Sequence, residues 1–440
     1  MRTCWLRREF LSRTGLALAA GLAGSSRGWT EAAAQDLAPL AMDAPDWQSV
    51  RAQFALSDEF VHMSAMLISS HPKTVRDAIE EHRRGMDANP LTYVFQNNRR
   101  RQEEARAAAG QYLGVNASDI ALTDSTTMGV ALVYNGLRLT PDQEILSTEQ
   151  DYYVTHESIR LAGRRTGAKV RRVSLYDRIE AITEEQIVDR IAQAITPATR
   201  VLALTWVHSS TGLKLPLRAI TNAVSEINAG RDEAARVLVC VDGVHGFGIE
   251  DVVLSDLGCD FFMAGCHKWL FGPRGTGIVA GTQRAWESLL PTIPSFIDGG
   301  NWHAWSSGID PEGPTTASRM TPGGYKAFEH LWALTQAFAF QQWIGKARVA
   351  ERTHSLAGHL TDAMPQITLH TPRSEKLSAG IVSFDVEGLS PGAVVHRLRE
   401  RWVIASVAPY AVPHVRLTPC IQNTPAEIDT VLREIRALVS

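Results

Sequence analysis

The chain has 440 residues, of which 45% are hydrophobic and 21% charged, a composition typical of a soluble globular enzyme with two or three domains. The formal net charge of −3 gives no electrostatic reason to expect nucleic acid or an anionic membrane as a partner. Five cysteines without CxxC spacing predict buried thiols, and neither a disulfide framework nor a metal site.

Residues 1–34 have the pattern of an export signal rather than of an N-terminal helix of the fold. The arginine pair Arg7-Arg8 precedes the small-residue apolar run 14–24, and Ala32–Ala34 offers a cleavage site. The arginine pair resembles a Tat signal, and the run is too short to span a bilayer. We therefore predict transient recognition by the Tat machinery, a periplasmic mature protein and no stable membrane association.

Residues 120–136 predict a short strand followed by a helix. The apolar run ends at Thr123, and Ser125, Thr126 and Thr127 then open an apolar helix. Small hydroxyl residues favour a helix start, where free backbone N–H groups and the positive end of the helix dipole attract a phosphate group. Simple N-capping is the alternative role for the same residues.

Three further apolar runs predict strands whose polar ends meet at one edge of a sheet. The segments are 144–156, 201–216 and 237–245, and in the last of them the apolar run ends in Asp242. Ligands of open α/β sheets bind at the carboxyl edge of such strands. Asp242 is therefore expected to face a ligand, with the capping of a turn as the alternative.

The stretch 260–277 carries the most specific signal. An apolar run leads to His267-Lys268, and a Gly/Pro-rich turn follows. A lysine held there is desolvated, so its amine can be neutral near pH 7 and attack a carbonyl. The usual carbonyl is the aldehyde of pyridoxal phosphate, held as a Schiff base, and the pyridine nitrogen of this cofactor needs an acid such as Asp242. Together the two residues predict a pyridoxal phosphate site, whereas Lys268 alone would be read as a surface charge.

This combination resembles the fold-type I pyridoxal-phosphate enzymes of the class V aminotransferase family, which includes isopenicillin N epimerase-like proteins and cysteine desulfurases. The similarity covers roughly residues 55–438. It implies an α/β fold with a large domain, built on a mostly parallel seven-stranded-type sheet flanked by helices, and a smaller C-terminal α/β domain. The expected bounds are 35–74 for an N-terminal segment, 75–324 for the large domain and 325–440 for the small domain, which the N-terminal segment joins.

The resemblance also implies most of the cofactor site, with Lys268, Asp242 and His245 as catalytic residues. The cofactor contacts that it implies are Ser125, Thr126, Thr127, Tyr153, His208, Ser209, Asp242, His245, His267 and Lys268, together with Gly323 and Gly324 reaching across from a partner subunit. Tyr153 is the expected stacking aromatic, and Tyr152 is the alternative. Gly265 and the Gly323-Gly324 pair stand where many relatives carry phosphate-binding hydroxyls, so His267, backbone amides and water are expected to serve instead.

A substrate carboxylate is predicted to bind Arg416. An arginine inside an apolar strand is costly unless it is paired, and its planar fork suits a carboxylate. The resemblance assigns Arg416 to the substrate α-carboxylate, and a structural ion pair is the alternative. Met63, Ser64 and His156 are the further residues expected on the substrate side.

The expected function is that of a homodimeric pyridoxal-phosphate aminotransferase acting on an amino acid or a peptide-derived small-molecule amine. Epimerisation, with His156 or His208 as a second acid, C–S or C–N lyase chemistry and non-catalytic cofactor binding are the alternatives. Desulfurases need a nucleophilic cysteine just before the carboxylate arginine, and residues 405–416 contain none, which excludes this reaction unless Cys420 reaches the site. A Tat signal on a class V core resembles exported enzymes that tailor secreted natural products such as pyoverdine siderophores.

Overall fold

The computed structural model describes residues 44–364 and 367–439. Within this part of the chain, no helix is both long and apolar enough to cross a membrane. The export signal predicted for residues 1–34 lies outside the described residues, so the cleavage site and the route of export stay predictions.

Helices connect most of the strands and cover the sheets. Their bounds are α1 Trp47–Arg51, α2 Lys73–Ala88, α3 Pro90–Leu113, α4 Thr126–Gly136, α5 Tyr153–Thr166, α6 Glu184–Ala194, α7 Leu217–Ala229, α8 Leu254–Leu257, α9 Gln283–Glu287, α10 Gly299–Ser307, α11 Ala317–Met320, α12 Phe328–Trp332, α13 Leu334–Ile344, α14 Lys346–Asp362, α15 Pro391–Glu400 and α16 Pro425–Val439. Polar caps fix several of the starts. Thr183 and Gln186 form a capping box at α6, for example, and so satisfy N–H groups that the first turn leaves free.

The strands form one large and two small sheets. Their bounds are β1 Val61–His62, β2 Ile120–Thr123, β3 Glu144–Thr148, β4 Lys169–Val173, β5 Thr199–Thr205, β6 Leu238–Asp242, β7 Phe261–Gly265, β8 Gly277–Gly281, β9 Thr368–Leu369, β10 Val382–Asp385, β11 Val403–Ile404, β12 Ser406–Val407 and β13 Val415–Leu417. The large sheet has seven strands in the order β2-β8-β7-β6-β5-β3-β4, and β8 runs antiparallel to both of its neighbours. The predicted mostly parallel seven-stranded sheet is therefore confirmed.

Separate hydrophobic cores cover the two faces of the large sheet. In β5, Leu202 and Leu204 belong to one core, whereas Val201 and Ala203 belong to the other. Successive side chains of a strand point to opposite faces, so a strand that is apolar at every position must be covered on both. This arrangement explains why the central strands β5, β6 and β7 are largely apolar in the sequence.

The C-terminal sheet is antiparallel, with the order β12-β13-β10-β9. One of its faces carries Phe384 and Val415 into a third hydrophobic core. The opposite face carries Ser383 and Arg416 toward the turn after β5, where the Ser383 hydroxyl donates to the Ser210 carbonyl at 2.8 Å. Strand β1 pairs with β11 and so joins the N-terminal segment to this part of the chain. The domain bounds themselves stay predictions.

The cysteines within the described residues are buried thiols, as predicted. Cys240, Cys259, Cys266 and Cys420 are all free and buried. Burial raises the pKa of each of these thiols, that of Cys420 to about 12. Each thiol is therefore protonated near pH 7 and is a poor nucleophile.

Candidate active site

A cavity of about 180 Å³ lies at the carboxyl edge of β5, β6 and β7, next to the C-terminal sheet. The predicted site residues that line it are Ser125, Thr126, Thr127, Ser209, Asp242, His245, His267, Lys268 and Arg416. They come from widely separated parts of the chain. The fold therefore brings the residues predicted for a cofactor and the residue predicted for a substrate carboxylate into one space.

Asp242 ends β6 and is almost completely buried. Its Oδ1 accepts a hydrogen bond from the Val244 N–H at 3.1 Å. Burial raises the pKa of Asp242 to about 6, although the Val244 hydrogen bond and the positive charge of Lys268 act in the opposite direction. A buried carboxylate that is close to taking up a proton is suited to share one with a ring nitrogen.

Lys268 follows the end of β7, the strand that pairs with β6. Burial lowers the pKa of the Lys268 amine to about 8, although the negative charge of Asp242 opposes this effect. With this pKa about a tenth of the amine is neutral at pH 7, compared with about three parts in ten thousand for an ordinary lysine. The neutral amine is the form that attacks an aldehyde.

His245 contacts the Lys268 amine and also favours its neutral form. The Trp269 indole N–H donates to His245 Nδ1 at 3.4 Å, and Lys268 Nζ lies 3.2 Å from His245 Nε2. Burial lowers the pKa of His245 well below its usual value, so the ring is neutral at pH 7. Because Nδ1 accepts, the ring proton is on Nε2, which then donates to the lone pair of an uncharged Lys268 amine.

The start of α4 faces the cavity with unpaired backbone N–H groups. The Ser125 side chain caps the helix by accepting from the Met128 N–H at 3.1 Å and also lines the cavity, so the cap is observed and the phosphate contact of the hydroxyl stays a prediction. The Thr126 hydroxyl accepts from the Gly265 N–H at 2.8 Å. Among the described residues, no acceptor binds the N–H groups of Thr126 and Thr127, which together with the helix dipole suit a phosphate.

Gly265 has a steric reason to be a glycine. A Cβ atom at this position would lie 2.9 Å from Thr126 Oγ1 and 3.1 Å from the His267 ring. Thr126 therefore occupies the space that a serine would need. Burial lowers the pKa of His267 to about 4, so this ring is neutral at pH 7 and offers an anion a hydrogen bond rather than a charge.

Arg416 enters the cavity from β13 and is 1% exposed. It donates from Nη1 to the Ser209 carbonyl at 2.8 Å and from Nη2 to the Val407 carbonyl at 2.9 Å, while Nε is buried without a partner. Burial lowers the pKa of Arg416 to about 10, which leaves it charged at pH 7. The alternative of a structural ion pair is not observed, because no aspartate or glutamate within the described residues pairs with Arg416.

Comparison with known proteins now decides the family. The sequence model of the family "Aminotransferase class-V" matches residues 68–415. This chain belongs to the class V aminotransferase family. Isopenicillin N epimerase of Streptomyces clavuligerus is 27% identical over 413 residues, covering 90% of this chain and 99% of that protein. A probable cysteine desulfurase of Streptomyces coelicolor is 24% identical over 420 residues, covering 88% and 96%.

Solved structures agree on the class V fold. A variant of C-DES with glycine covalently linked to its PLP cofactor has a TM-score of 0.78 at 21% identity, covering 89% of this chain and 99% of that one. Class V membership identifies pyridoxal phosphate as the cofactor, as predicted from Lys268 and Asp242. The cavity fits this cofactor, since it combines a largely desolvated lysine, a buried acid and free amides at a helix start.

Of the two tyrosines considered for stacking in this class V site, Tyr152 lines the cavity and Tyr153 does not. Tyr153 is the first residue of α5 and is 67% exposed, whereas Tyr152 precedes the helix in an extended conformation and lines the cavity. Adjacent residues in extended and helical backbone direct their side chains differently. The structure therefore places the alternative, Tyr152, at the cavity wall, and the stacking contact with the cofactor stays a prediction.

The N-terminal loop contributes different residues from those predicted. The backbone of Met63 pairs with Ile404 and Thr418, which directs the Met63 side chain into the third hydrophobic core and away from the cavity. Ser64 forms an isolated β-bridge with Thr418 and does not line the cavity either. A turn after Ser64 brings Met66 and Leu67 to the wall instead.

Two histidines that were predicted in the site, His156 and His208, lie outside the cavity lining. His208 is fully buried, with Nε2 4.0 Å from Asp151 Oδ1, and burial lowers the pKa of its ring. His156 Nε2 bonds the Thr148 carbonyl at 2.8 Å. Neither lines the cavity. The predictions of His156 as a substrate contact, of His208 as a ring contact and of either as a second acid are therefore not supported by the geometry.

Gly323 and Gly324 do not line the cavity of their own subunit. The Gly323 N–H donates to the Pro294 carbonyl at 2.8 Å, and a Cβ atom on Gly323 would collide with Phe296. Their predicted contact with the cofactor of a partner subunit stays a prediction.

Two residues near the site were missed by the sequence analysis. The Tyr410 hydroxyl lies 2.8 Å from the Ser209 hydroxyl, and its ring packs 5.6 Å from the Tyr152 ring. The Ser69 hydroxyl donates to the Lys268 carbonyl at 2.7 Å, and the Ser69 N–H donates to the His267 carbonyl. Tyr410 lies six residues before Arg416, in a stretch where a tyrosine beside the site could have been expected from the sequence. No local pattern indicates Ser69.

Proposed function

We propose that this class V enzyme is an aminotransferase for an amino acid, or for a peptide-derived amine that carries a free carboxylate. The observation that carries the proposal is Arg416, a buried cation without an acidic partner among the described residues, in the same cavity as Lys268. A substrate carboxylate would balance this charge, and its two oxygens match the guanidinium fork.

Each charged residue then has a separate task. Bound in the cavity, pyridoxal phosphate supplies an electron sink for negative charge at the substrate Cα. Asp242 holds a proton at the ring nitrogen, which strengthens the sink. The Lys268 amine removes the Cα proton, and Arg416 holds the carboxylate so that the Cα–H bond points at Lys268.

Epimerisation of the same kind of substrate is the second candidate function. The Streptomyces clavuligerus relative is named as an epimerase. Returning the proton to the opposite face of Cα requires a second acid, and Tyr152 is a cavity-lining residue with a hydroxyl group, for which this role is the alternative to stacking on the cofactor. The neighbouring Tyr410 is bonded to Ser209, and burial raises its pKa, so it would stay protonated.

The two reactions are separated by a single-turnover experiment on the holoenzyme in heavy water without an amino acceptor. An aminotransferase releases up to one equivalent of 2-oxo acid per site from a matching amino acid. An epimerase releases none, but forms the opposite stereoisomer with deuterium at Cα. If amines without a carboxylate react and no carboxylate-bearing amine does, the proposed substrate class is wrong. Lys268→Ala is the blank for both readouts.

A cysteine desulfurase activity is not part of the proposal, although relatives carry that name. None of the four cysteines within the described residues lines the cavity, and the thiol of Cys420 is buried with its pKa raised to about 12. We expect no sulfide from L-cysteine and thiol reductant. Sulfide release by the wild type that disappears in Cys420→Ala would contradict this expectation.

We further propose that the enzyme is exported through the Tat route and acts on a secreted natural product such as a siderophore. The arginine pair Arg7-Arg8 and the small-residue site at Ala32–Ala34 support export. Replacing both arginines with lysine should keep the precursor in the cytoplasm. Unchanged export after this replacement would exclude the Tat route.

A homodimer is also proposed, with α10 at its interface. Trp302 and Trp305 are exposed on this helix with ring centroids 5.1 Å apart, and Phe296 and Tyr325 are exposed as well. Exposed apolar patches of this kind mark protein contacts. Trp302→Glu with Trp305→Glu should give a monomer by light scattering, whereas Trp402→Glu, at another exposed indole, should not.

A further inference from the structure

A cluster of three side chains with metal-binding chemistry lies on the C-terminal sheet, outside the active-site cavity. His370 Nε2 and His414 Nδ1 each lie 2.8 Å from the same oxygen of Asp385, Oδ2. The three ligand atoms are all within 4.8 Å of one another. None of the three residues lines the cavity described above. The class V chemistry therefore does not account for this cluster.

Strand pairing brings these residues to one face of the sheet. Asp385 ends β10, His414 directly precedes β13, and His370 directly follows β9. The register pairs Phe384 with Val415 and Asp385 with Thr368, so Asp385 faces His414 across one strand pair and His370 diagonally across the other. Opposite and diagonal neighbours on one sheet face are within reach of each other's side chains.

The two histidines of the cluster are largely shielded from water, and the Asp385 side chain is 33% exposed, with one of its oxygens unsatisfied. The side chains of His370 and His414 are 17% and 11% exposed, and their rings are tilted by 31° with centroids 3.8 Å apart. Asp385 Oδ1 is buried without a hydrogen-bond partner. Leaving a carboxylate oxygen unpaired in this way is costly, and a cation held against the carboxylate would remove the cost.

We propose that His370, Asp385 and His414 bind one divalent transition-metal ion of the Zn²⁺ class. Bonds of about 2.0–2.2 Å place neighbouring ligand atoms about 3.0 Å apart at a right angle and about 3.4 Å apart in a tetrahedron. The two nitrogen-to-oxygen spacings of 2.8 Å need to open only slightly to admit the ion, and the two nitrogens lie within 4.8 Å of each other. Two imidazoles and one carboxylate suit Zn²⁺, Co²⁺ or Ni²⁺ better than the oxygen-seeking Ca²⁺ and Mg²⁺. Water completes the coordination.

The bound ion is structural, and it acts next to the active site. The Ala408 N–H donates to the His414 carbonyl at 2.8 Å and closes the base of the loop that carries Pro409 and Tyr410. Pro409 lines the cavity, and the Tyr410 hydroxyl is bonded to Ser209. An ion on His414 would therefore fix the base of a loop that forms part of the cavity wall.

The test is a Co²⁺ titration of tag-free holoenzyme that has first been stripped with a chelator. The wild type should bind one equivalent per chain with a saturable visible d–d band, and Zn²⁺ should displace it. His370→Ala and Asp385→Asn should each weaken binding at least about tenfold. His359→Ala is the matched control, because His359 is also paired with an aspartate, Asp429, but is more exposed.

Folding is checked separately by circular dichroism and by the visible band of the cofactor. If His370→Ala misfolds, His370→Gln keeps the size of the side chain without the imidazole and serves as the second variant. The metal should also raise the unfolding temperature of the wild type and not that of the folded variants. Absence of one-equivalent binding in the wild type, or equally tight binding in folded His370 and Asp385 variants, would show a hydrogen-bonded His–Asp–His network only.

Discussion

The two halves of the cavity each bury a cation and use it differently. The half on the large sheet holds Lys268 beside the charge of Asp242, whereas the half on the C-terminal sheet holds Arg416 against two backbone carbonyls. Burial lowers the pKa of Lys268 to about 8 and that of Arg416 to about 10. At pH 7 the lysine is therefore partly neutral, while the arginine remains charged.

The comparison shows that similar desolvation gives a nucleophile in one half and an anion anchor in the other. The difference comes from the intrinsic acidity of the two groups, since the ordinary pKa is 10.5 for a lysine and 12.5 for an arginine. The pKa of a lysine amine also shifts readily on burial, whereas a guanidinium stays charged and offers a planar fork that suits a carboxylate. Each half can be altered separately, so the division of tasks is open to test.

The largest effect is expected when the nucleophile of the large-sheet half is removed. Lys268→Ala should abolish turnover and the visible cofactor band that borohydride removes from the wild type. Absorbance before and after borohydride measures this, and mass spectrometry locates any reduced adduct. A reducible adduct on another lysine in the native site of the variant would show that Lys268 has been assigned the wrong role.

Asp242, the acid of the large-sheet half, should affect the rate of Cα proton removal and not the amount of cofactor bound. Asp242→Asn keeps the size and the Val244 hydrogen bond but cannot hold the charge of a protonated ring nitrogen. Losing about 4 kcal/mol of transition-state stabilisation would slow Cα proton removal roughly a thousandfold. Exchange of the Cα proton with solvent measures this step, and near-normal exchange would mean that ring protonation is unimportant here.

Weakening the anchor of the C-terminal half should change substrate affinity alone. Arg416→Lys keeps the charge but loses the two-pronged contact, which should cost about 1.5–3 kcal/mol, or roughly 10- to 150-fold in affinity for carboxylate substrates. Amines without a carboxylate and the cofactor itself should bind as before. If both substrate classes and the cofactor suffer equally, Arg416 serves the fold and the comparison between the halves fails.

The pH dependence of cofactor capture tests the pKa difference directly. Neutral Lys268 is the reactive form, and its pKa is lowered to about 8, so the neutral fraction rises with pH until about 8 and then levels off. The rate at which apoenzyme captures pyridoxal phosphate should rise about tenfold per pH unit below this value. A rate that still rises without levelling between pH 8 and 10 would show an ordinary lysine.

The smallest effect is expected at the aromatic wall between the halves. Tyr152→Leu removes a ring that lines the cavity, and stacking contributes about 0.5–1.5 kcal/mol, or roughly 2- to 12-fold in cofactor affinity. Tyr153→Leu is the matched control, because Tyr153 is exposed and outside the cavity. Equilibrium dialysis of the cofactor compares the two variants. An equal or larger loss of cofactor affinity in Tyr153→Leu would contradict the choice of Tyr152 and favour Tyr153, the residue predicted from the sequence.

Local patterns in the sequence predicted β2, β3, β5, β6 and β7 of the large sheet and its ligand edge, whereas the seven-stranded sheet as a whole was implied by the family resemblance. The runs ending at Asp242 and leading to Lys268 are buried strands, as their continuous apolar residues predicted. Arg416 was recognisable because a charge inside an apolar strand needs a compensating partner. At Ser125 the sequence offered a phosphate contact and a helix cap, and the hydroxyl caps the helix.

Other assignments depended on which way a side chain points, and this is decided by neighbours that are distant in the chain. Tyr152 and Tyr153 are adjacent, yet the start of α5 turns one toward the cavity and the other toward solvent. Met63 follows a strand whose pairing with β11 directs its side chain into the core. Periodicity along the sequence does not contain these pairings.

The sequence by itself predicted the cofactor and pointed to Lys268, Asp242 and Arg416, because each depends on residue chemistry within one short run. The family followed from a resemblance that spans roughly residues 55–438. Only the tertiary structure decided which aromatic lines the cavity, which side chains crowd Gly265 and how His370, Asp385 and His414 meet. These outcomes depend on strand register and on the space left between elements. Both are set by packing between parts of the chain that are far apart in sequence.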